Sequence, residues 1–312
     1  MKRTNGHIGI VLLLAAGLLA GCAGSGDEPT TVSENTPKEI RLTPNVWWVM
    51  DGTRTAYYDN TTALETEGSF TCEAYEAGTA TGYFTGAAVE WNNRISSDWA
   101  FTTAKYWPAP VSNAVPAVYP FDLDFFAYMP ATPPAYITAV TYTTARSPQF
   151  TCDMTPTIDK EFIWALTTAQ NKDSNSGTVD LDFKHPFARI NFTLSPASGT
   201  HVTINSISID GSDFYTTGTC TFDGSASTWS DKGGSASLGS FSVNVPYLVI
   251  PNNYGSKTIT VNATWDDWSN VTKNVSSGAV TINWQPGYSY TYNLTLTKEA
   301  LIVETTKYTE QW

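Results

Sequence analysis

Histidine and charged side chains are scarce in this sequence, and their scarcity excludes several kinds of chemistry. Of its 312 residues, three are histidines, and 15% are Asp, Glu, Lys or Arg. Outside the N-terminal apolar segment only His185 and His201 remain, and neither has a second His or a Cys at metal-ligand spacing. The sequence contains no G-x-S-x-G turn, P-loop or G-x-G-x-x-G motif. We therefore expect no enzyme activity, no metal site and no cofactor.

Basic residues are also few, which argues against a nucleic-acid partner. The chain has 17 Lys and Arg against 29 Asp and Glu, a formal net charge of −12. Loss of an N-terminal segment that contains Lys2 and Arg3 and no acid takes this charge to −14. Such a surface repels phosphate backbones, and no basic cluster offsets it.

Residues that favour strands and turns are abundant instead. The chain is 13% aromatic and contains 22 Gly and 17 Pro, while Thr, Ser and Asn are frequent and Lys and Glu are sparse. This composition suits strands and turns and disfavours helices. No long stretch repeats apolar residues with a 3.6-residue period. We predict an all-β protein with almost no helix beyond single turns.

The N-terminus, residues 1–21, has the pattern of a bacterial lipoprotein signal peptide. Lys2 and Arg3 precede an apolar run, residues 8–20, that is too short for an ordinary membrane span. The run leads into Leu-Ala-Gly-Cys, which ends at Cys22. We expect cleavage before Cys22, diacylglycerol on its sulfur and palmitate on its new amine, which would hold the protein on a membrane almost permanently. The alternative is an ordinary signal peptide followed by a cysteine by chance.

Residues 22–38 read as a flexible tether between the lipid and the body. They are polar and contain no aromatic residue. Asp27 and Glu28, soon after Cys22, resemble the acidic export signal of surface-displayed lipoproteins in some Gram-negative anaerobes.

Two β-sandwich domains are predicted for the rest of the chain, residues 39–172 and 173–312. Short apolar alternations separated by Pro-, Gly- and Asn-containing turns are typical of such sandwiches. The most polar short run of the body, residues 171–177, sets the boundary. Strands are predicted at residues 40–50, 70–75, 87–91, 99–106, 123–128, 162–167, 179–194, 202–210, 241–250, 258–265, 279–284 and 288–297.

The predicted strand at residues 40–50 carries its apolar side chains on even positions, so one face is buried. Pro44 interrupts it, and because proline has no N–H for a ladder we expect this strand at a sheet edge. Residues 51–55 follow as a turn or exposed loop that contains Arg54.

The stretch at residues 179–194 changes phase in its middle. Apolar residues occupy odd positions from Val179 to Phe183, and after His185 and Pro186 they occupy even positions. A one-residue slip would turn every side chain to the wrong face, so a bulge or kink is required. We predict one bent strand or two strands that meet at a corner, with His185 as a structural residue at the bend.

Carboxylates occur in pairs two residues apart on two predicted strands. Asp122 and Asp124 form one pair, and Asp180 and Asp182 form the other. A glycosidase pair is conceivable in each case. We interpret both as solvated strand faces, because they alternate with apolar residues.

Aromatic and acidic residues are adjacent at one further position. Trp265, Asp266, Asp267 and Trp268 form a candidate ligand site, because aromatic rings beside carboxylates can stack on sugars or help to bind calcium. The alternative is an aromatic-rich turn without a ligand.

Three cysteines remain after lipidation, Cys72, Cys152 and Cys220, so at most one disulfide can form within the chain. Cys72 alternates with apolar neighbours, and we expect it to be buried and free.

Seven segments together resemble the fimbrillin-like (Mfa-like) family, the subunits of type V pili. They occur in the family's order at residues 19–22, 52–56, 105–108, 123–130, 183–190, 247–251 and 284–292. The resemblance implies two transthyretin-like, Ig-like β-sandwich domains in tandem. It also implies export as a lipid-anchored precursor to the outer membrane and cell surface, and a place in a fimbrium after processing.

The resemblance further implies how such a protein assembles. In the family, an arginine-directed protease removes the first strand, and a strand from another subunit fills the groove. Here residues 40–50 would leave, and Arg54 is the best-placed cleavage site, with Arg41 and Arg94 as alternatives. The tail, residues 301–312, alternates poorly as a donor strand, so a tip or accessory adhesin is an alternative to a stalk subunit.

Two classes of function therefore remain open. The first is a pilus subunit or adhesin whose partners are other subunits, in a homo- or hetero-polymer, and the membrane through Cys22. The second is a non-polymerising surface lipoprotein that binds a host glycan or protein through exposed aromatic residues.

Overall fold

The structure, a computed structural model, describes residues 37–46, 58, 60–92, 97–111, 118–143, 147–156, 160–196, 201–266 and 271–308. All of these belong to one compact unit, Thr36–Trp312. Within these ranges the chain forms nineteen strands, one α-helix and one 3-10 turn. The all-β prediction is confirmed.

The strands of the first half are, in chain order, β1 (Arg41–Val46), β2 (Ser69–Glu76), β3 (Gly82–Asn92), β4 (Asp98–Phe101), β5 (Leu123–Met129), β6 (Ile137–Tyr142), β7 (Pro148–Asp153), β8 (Ile163–Gln170) and β9 (Thr178–Phe183). Those of the second half are β10 (Ala188–Pro196), β11 (Val202–Phe214), β12 (Thr217–Phe222), β13 (Ser227–Gly233), β14 (Ala236–Phe241), β15 (Tyr247–Val249), β16 (Asn253–Trp265), β17 (Thr272–Asn283), β18 (Ser289–Leu296) and β19 (Leu301–Tyr308).

Helix α1 (Thr61–Glu67) is longer than the single turns that the composition predicts. Two caps define its limits. The side chain of Asn60 accepts a hydrogen bond from the Ala63 amide at 2.9 Å, and Gly68 ends the helix at a φ of 77°. A 3-10 turn, Ser174–Gly177, precedes β9.

Seven strands form the first sheet, in the order β8-β5-β2-β3-β4-β1-β9. The sheet curls around its own core until its outer strands meet, where Trp164 and Lys184 exchange backbone hydrogen bonds of 3.2 and 2.7 Å. Each strand contributes buried apolar side chains to this first core, among them Leu42, Phe70, Val89, Trp99, Phe125, Ile163 and Val179.

The predicted edge position of β1 is wrong, because β1 lies between β4 and β9. It pairs in parallel with β9 over six residue pairs, from Arg41 opposite Thr178 to Val46 opposite Phe183. On its other side it pairs with β4 at one position only, Leu42 opposite Trp99. Pro44 is tolerated inside the sheet because the ladder with β4 has already ended, so the missing N–H interrupts no pairing on that side.

The phase change at His185 and Pro186 marks a boundary between two strands that lie in different sheets. β9 buries Val179, Leu181 and Phe183 in the first core, whereas β10 belongs to the second half. The corner is therefore two strands and not one bent strand. The predicted domain limit between residues 172 and 173 would assign β9 to the second half. The pairing of β9 with β1 and its burial in the first core instead place this strand in the first sheet.

A four-stranded sheet joins the two halves, and we call it the shared sheet. Its order is β13-β12-β7-β6, so that a hairpin from each half contributes two strands. The hairpins meet where β7 and β12 pair over five residue pairs. None of these four strands was among those predicted from the sequence.

The shared sheet covers a second core, which we call the shared core because it contains residues from both halves. β5 and β8 are buried on both faces, so neighbouring residues such as Ile163 and Trp164 enter the first core and the shared core, respectively. Strands buried on both faces have near-continuous apolar runs. The two halves are thus packed through a common core and a common sheet.

The remaining strands form an eight-stranded sheet in the order β14-β11-β16-β17-β19-β18-β10-β15. β17 and β19 meet at a single pair, Ser277 opposite Leu301, and the apolar faces on either side enclose a third core. The last strand, β19, pairs with β18 over eight residue pairs.

Candidate functional site

The space that β1 fills is the candidate site, and we call it the first-strand slot. It is bounded by β9 on one side and by β4 on the other. Ile40, Leu42 and Val46 point into the first core and are 2%, 7% and 4% exposed. Full burial of such a side chain contributes about 1.5–3 kcal/mol. β1 therefore contributes several kcal/mol to the first half.

The backbone before β1 is held by the segment that follows β4. The Ile40 amide donates to the Lys105 carbonyl at 2.8 Å, and the Trp107 amide donates to the Lys38 carbonyl at 3.0 Å. Trp107 is itself buried, and its indole donates to the Gly177 carbonyl at 3.2 Å. The slot therefore fixes the start of the strand as well as its apolar face.

After β1 the chain rejoins the rest of the fold at Tyr58, and we call the chain from there onward the body. β1 ends at Val46, and the Tyr58 side chain is 3% exposed in the first core. Arg54 lies between these two anchored positions and outside the described residues, so its predicted cleavage stays a prediction. One cut in this connection would separate β1 from the rest of the chain.

Removal of β1 would uncover apolar side chains on both sides of the slot. Leu42 lies opposite Val179 on β9 and Trp99 on β4, and Val46 lies opposite Phe183. The six-pair ladder of β9 would lose its partner at the same time. An exposed apolar edge of this kind is a template for another strand.

The predicted ligand site at residues 265–268 is not supported. Trp265 is 1% exposed in the third core, so its ring has no free face for a sugar. Asp266 is exposed, and its amide donates to the His201 carbonyl at 3.0 Å. Asp267 and Trp268 lie outside the described residues, as does the predicted lipidation site Cys22.

The two carboxylate pairs have different environments. Asp180 and Asp182 are exposed, as predicted. Asp124 is fully buried, so its interpretation as a solvated residue is wrong. The reason is that β5 is buried on both faces, which the apolar residues on both parities of this strand indicate.

The Asp124 carboxylate is satisfied by donors from three other segments of the first half. It accepts hydrogen bonds from the Gly78 amide at 2.9 Å, the Ala169 amide at 2.8 Å and the Tyr142 hydroxyl at 3.1 Å. These donors tie the ends of neighbouring strands together. The group is structural.

His185 is also structural, at the corner where the chain passes from the first sheet to the second half. Its Nδ1 lies 2.8 Å from Oε1 of Glu161. His185 is 5% exposed, and Glu161 is fully buried. This buried pair links the end of β9 to the start of β8.

Replacing His185 with alanine should lower the free energy of unfolding by about 3 kcal/mol, because it removes the imidazole from a fully buried carboxylate. Chemical denaturation of the purified protein measures this change. His201→Ala, at an exposed position, is the control and should change the stability by less than about 0.5 kcal/mol. Equal effects of the two substitutions would contradict a structural role for the pair.

The cysteines are buried thiols without a disulfide. Cys72, Cys152 and Cys220 are all free and buried, which confirms the prediction for Cys72. Burial raises the pKa of each thiol, to about 12 for Cys152. They therefore stay protonated at neutral pH and are poor nucleophiles.

In the described part of the chain, no group of three or more His, Cys, Asp or Glu side chains is placed to hold a metal ion. Among the same residues, no helix has the length and apolarity needed to cross a membrane.

The fold and the slot define an all-β protein whose first described strand is held between two strands of the body. The chain belongs to the fimbrillin-like family, whose model matches residues 53–312. Members of this class are structural proteins, and the chain is not an enzyme. No curated protein sequence matches it.

Solved structures with the same fold come from several Bacteroides species. A fimbrial protein from Bacteroides vulgatus is 16% identical, with 87% of this chain and 99% of that chain covered and a TM-score of 0.60. Two proteins assigned to cell adhesion, from Bacteroides uniformis and Bacteroides ovatus, are 16% and 14% identical, and both have a TM-score of 0.53. The matches cover 86% and 87% of this chain and 98% and 96% of those chains. At these identities the similarity shows the fold.

Proposed function

We propose that the protein is a fimbrial subunit or adhesin at the cell surface, joined to another subunit by exchange of its first strand. The observation that carries this proposal is the position of β1. It is the first described strand of the chain, it fills a slot between β4 and β9, and a single connection joins it to the body. A strand so placed leaves after one cut without unthreading any other element.

The precursor is held on the outer membrane by lipid on Cys22, through the tether at residues 22–38. Both lie on the N-terminal side of β1. Cleavage after Arg54 therefore separates the lipid and β1 from the body, and only the pairing of β1 in its slot keeps the body on the membrane. The remaining chain begins three residues before the buried Tyr58 and stays anchored to the first core. The family model, which begins at residue 53, covers the part that would remain.

Entry of a new strand is driven by the same interactions that hold β1. A donor with apolar side chains at the positions of Ile40, Leu42 and Val46 restores the buried area, and its backbone restores the ladder with β9.

The last described strand, β19, fits such a slot poorly, which favours a tip or accessory role as the second candidate. β19 offers Leu301 and Val303 on one parity, followed by Thr305 and Lys307. β1 has three buried residues at alternate positions, Leu42, Pro44 and Val46, and Ile40 just before it continues the same buried row. A second copy of this chain is thus a weaker donor than a different subunit.

The test uses membranes that carry the lipidated full chain. We expect an arginine-directed protease to cut after Arg54 and leave the body bound, since β1 stays in its slot. A synthetic peptide of residues 37–50, added in excess, should then displace β1 and release the body into the soluble fraction. A scrambled peptide is the control. Retention of the cut body despite the native peptide would contradict strand exchange, and a body that is soluble before cutting would contradict the lipid anchor.

A further inference from the structure

The turn before β9 has an unusual backbone. Three successive residues have positive φ angles: Asn175 at 41°, Ser176 at 55° and Gly177 at 79°. Non-glycine residues rarely adopt this region, and they remain there only when their surroundings hold them. The turn leads directly into β9, the longer edge of the first-strand slot.

Lys38, three residues before β1, contacts this turn. Its Nζ donates to the Ser176 carbonyl at 2.5 Å and lies 3.4 Å from the Lys172 carbonyl. Its aliphatic part passes over Gly177, where an added Cβ would lie 2.6 Å from Cε of Lys38. The glycine therefore provides both the left-handed conformation and the space for the lysine side chain. We call this arrangement of carbonyls and glycine the carbonyl cradle.

The surroundings of the carbonyl cradle favour a cation. Asn171 donates to Asp122 at 3.0 Å, and Asn175 donates to Asp180 at 2.8 Å. Asp173 lies in the turn itself. Lys172 is the turn's own basic residue, so the turn and the side chains hydrogen-bonded to it carry three carboxylates against one cation. Carbonyl oxygens and nearby carboxylates together stabilise an ammonium group.

Lys38 occupies a defined position relative to the buried face of β1. It lies two residues before Ile40, on the same parity as Ile40, Leu42 and Val46, and is half-buried. Side chains on one parity of a strand point to the same side of the sheet. The lysine thus continues the inward-facing row of β1 to the rim of the slot, where the carbonyl cradle receives it.

We propose that the carbonyl cradle recognises a basic side chain of the strand that replaces β1. This proposal rests on strand exchange at the first-strand slot, and it specifies the partner. The incoming strand runs parallel to β9 and carries a lysine two residues before its first buried apolar residue. The last described strand does not meet this rule, because Glu299 would precede Leu301 at that position, and an ionised carboxylate cannot donate a hydrogen bond to the carbonyls of the cradle. The partner is therefore a different protein with a basic residue there.

The experiment uses the cut, membrane-bound full chain described above and compares three peptides of residues 37–50 as displacing strands. The first has the native sequence, the second carries Lys38→Met and the third carries Arg41→Gln. Arg41 is exposed on the outer face of β1, so its substitution removes the same charge without touching the carbonyl cradle. A charge-assisted hydrogen bond is worth about tenfold or more in affinity.

We expect the Lys38→Met peptide to need about ten times the concentration of the native peptide for half-maximal release, and the Arg41→Gln peptide to stay within about twofold. Equal potency of all three peptides would overturn the carbonyl cradle and leave strand exchange intact. An equal loss of potency for the Lys38→Met and Arg41→Gln peptides would also overturn it, because the net charge of the peptide alone would then determine its affinity. Failure of the native peptide itself would reject strand exchange, and the carbonyl cradle with it. A peptide of residues 297–308 should be the weakest, and its success would identify a second copy as the partner.

Discussion

Alanine at both Leu42 and Val46 should lower the free energy of unfolding of the full chain by about 4 kcal/mol. Each substitution removes buried apolar atoms from the first core and leaves a cavity, which costs about 2 kcal/mol or more per site. The two positions lie four residues apart on β1, opposite Val179 and Phe183 on β9, so their effects should be nearly additive. Chemical denaturation of the uncut protein measures the loss.

The control comes from the same strand. Thr43 and Asn45 are exposed on the outer face of β1, and alanine at both should change the stability by less than about 1 kcal/mol. The two double variants should also differ in how fast they lose β1 after cleavage. The cut protein with alanine at Leu42 and Val46 should release β1 faster than the cut protein with alanine at Thr43 and Asn45. A similar loss of stability in both double variants would show that the apolar face of β1 does not hold it in the slot.

Phe150→Ala should cost about 4 kcal/mol and should destabilise both halves of the protein together. The Phe150 ring is 1% exposed in the shared core and lies 4.8–5.6 Å from four other aromatic rings. Truncation of a buried phenylalanine typically costs about 3–5 kcal/mol. These rings belong to both halves, so the cavity weakens the contact between them. The rings are Phe162, Trp164, Phe187 and Trp229.

Denaturation monitored together with amide hydrogen exchange distinguishes a common unit from two separate ones. We expect one unfolding transition, with protection lost in the first sheet and in the eight-stranded sheet at the same denaturant concentration. Gln149→Ala, one residue away on the other face of β7, should leave this concentration nearly unchanged. Two separated transitions, with Phe150→Ala affecting only one, would contradict a shared core.

The shared core also bears on the proposed assembly. In a fibre joined by strand exchange, tension applied at the first-strand slot would be transmitted to the second half through the β7–β12 ladder as well as through the chain at His185. Two halves joined only by a linker would instead move relative to each other.

Local patterns in the sequence determined which residues face a core. The alternation of β1 and of β9, the corner at His185 and Pro186 and the burial of Cys72 follow from period-2 patterning and proline chemistry, which depend on neighbouring residues only. The overall β class follows from composition in the same way, and the family resemblance rests on short segments in a fixed order.

Only the tertiary structure decided which strands are neighbours. Arg41 pairs with Thr178, and Phe150 pairs with Cys220, across long stretches of chain, and alternation specifies a face but not a partner. For this reason Pro44 led to the wrong prediction of an edge position for β1. The sequence likewise did not reveal the shared sheet or the contact of Lys38 with the turn Ser174–Gly177. The burial of Asp124 has the same cause: a residue beside the apolar face is exposed only if no second layer covers it, and a second layer is a long-range property of the fold. Trp265, by contrast, continues the buried alternation of Ile259, Val261 and Ala263, so its burial follows from the local pattern.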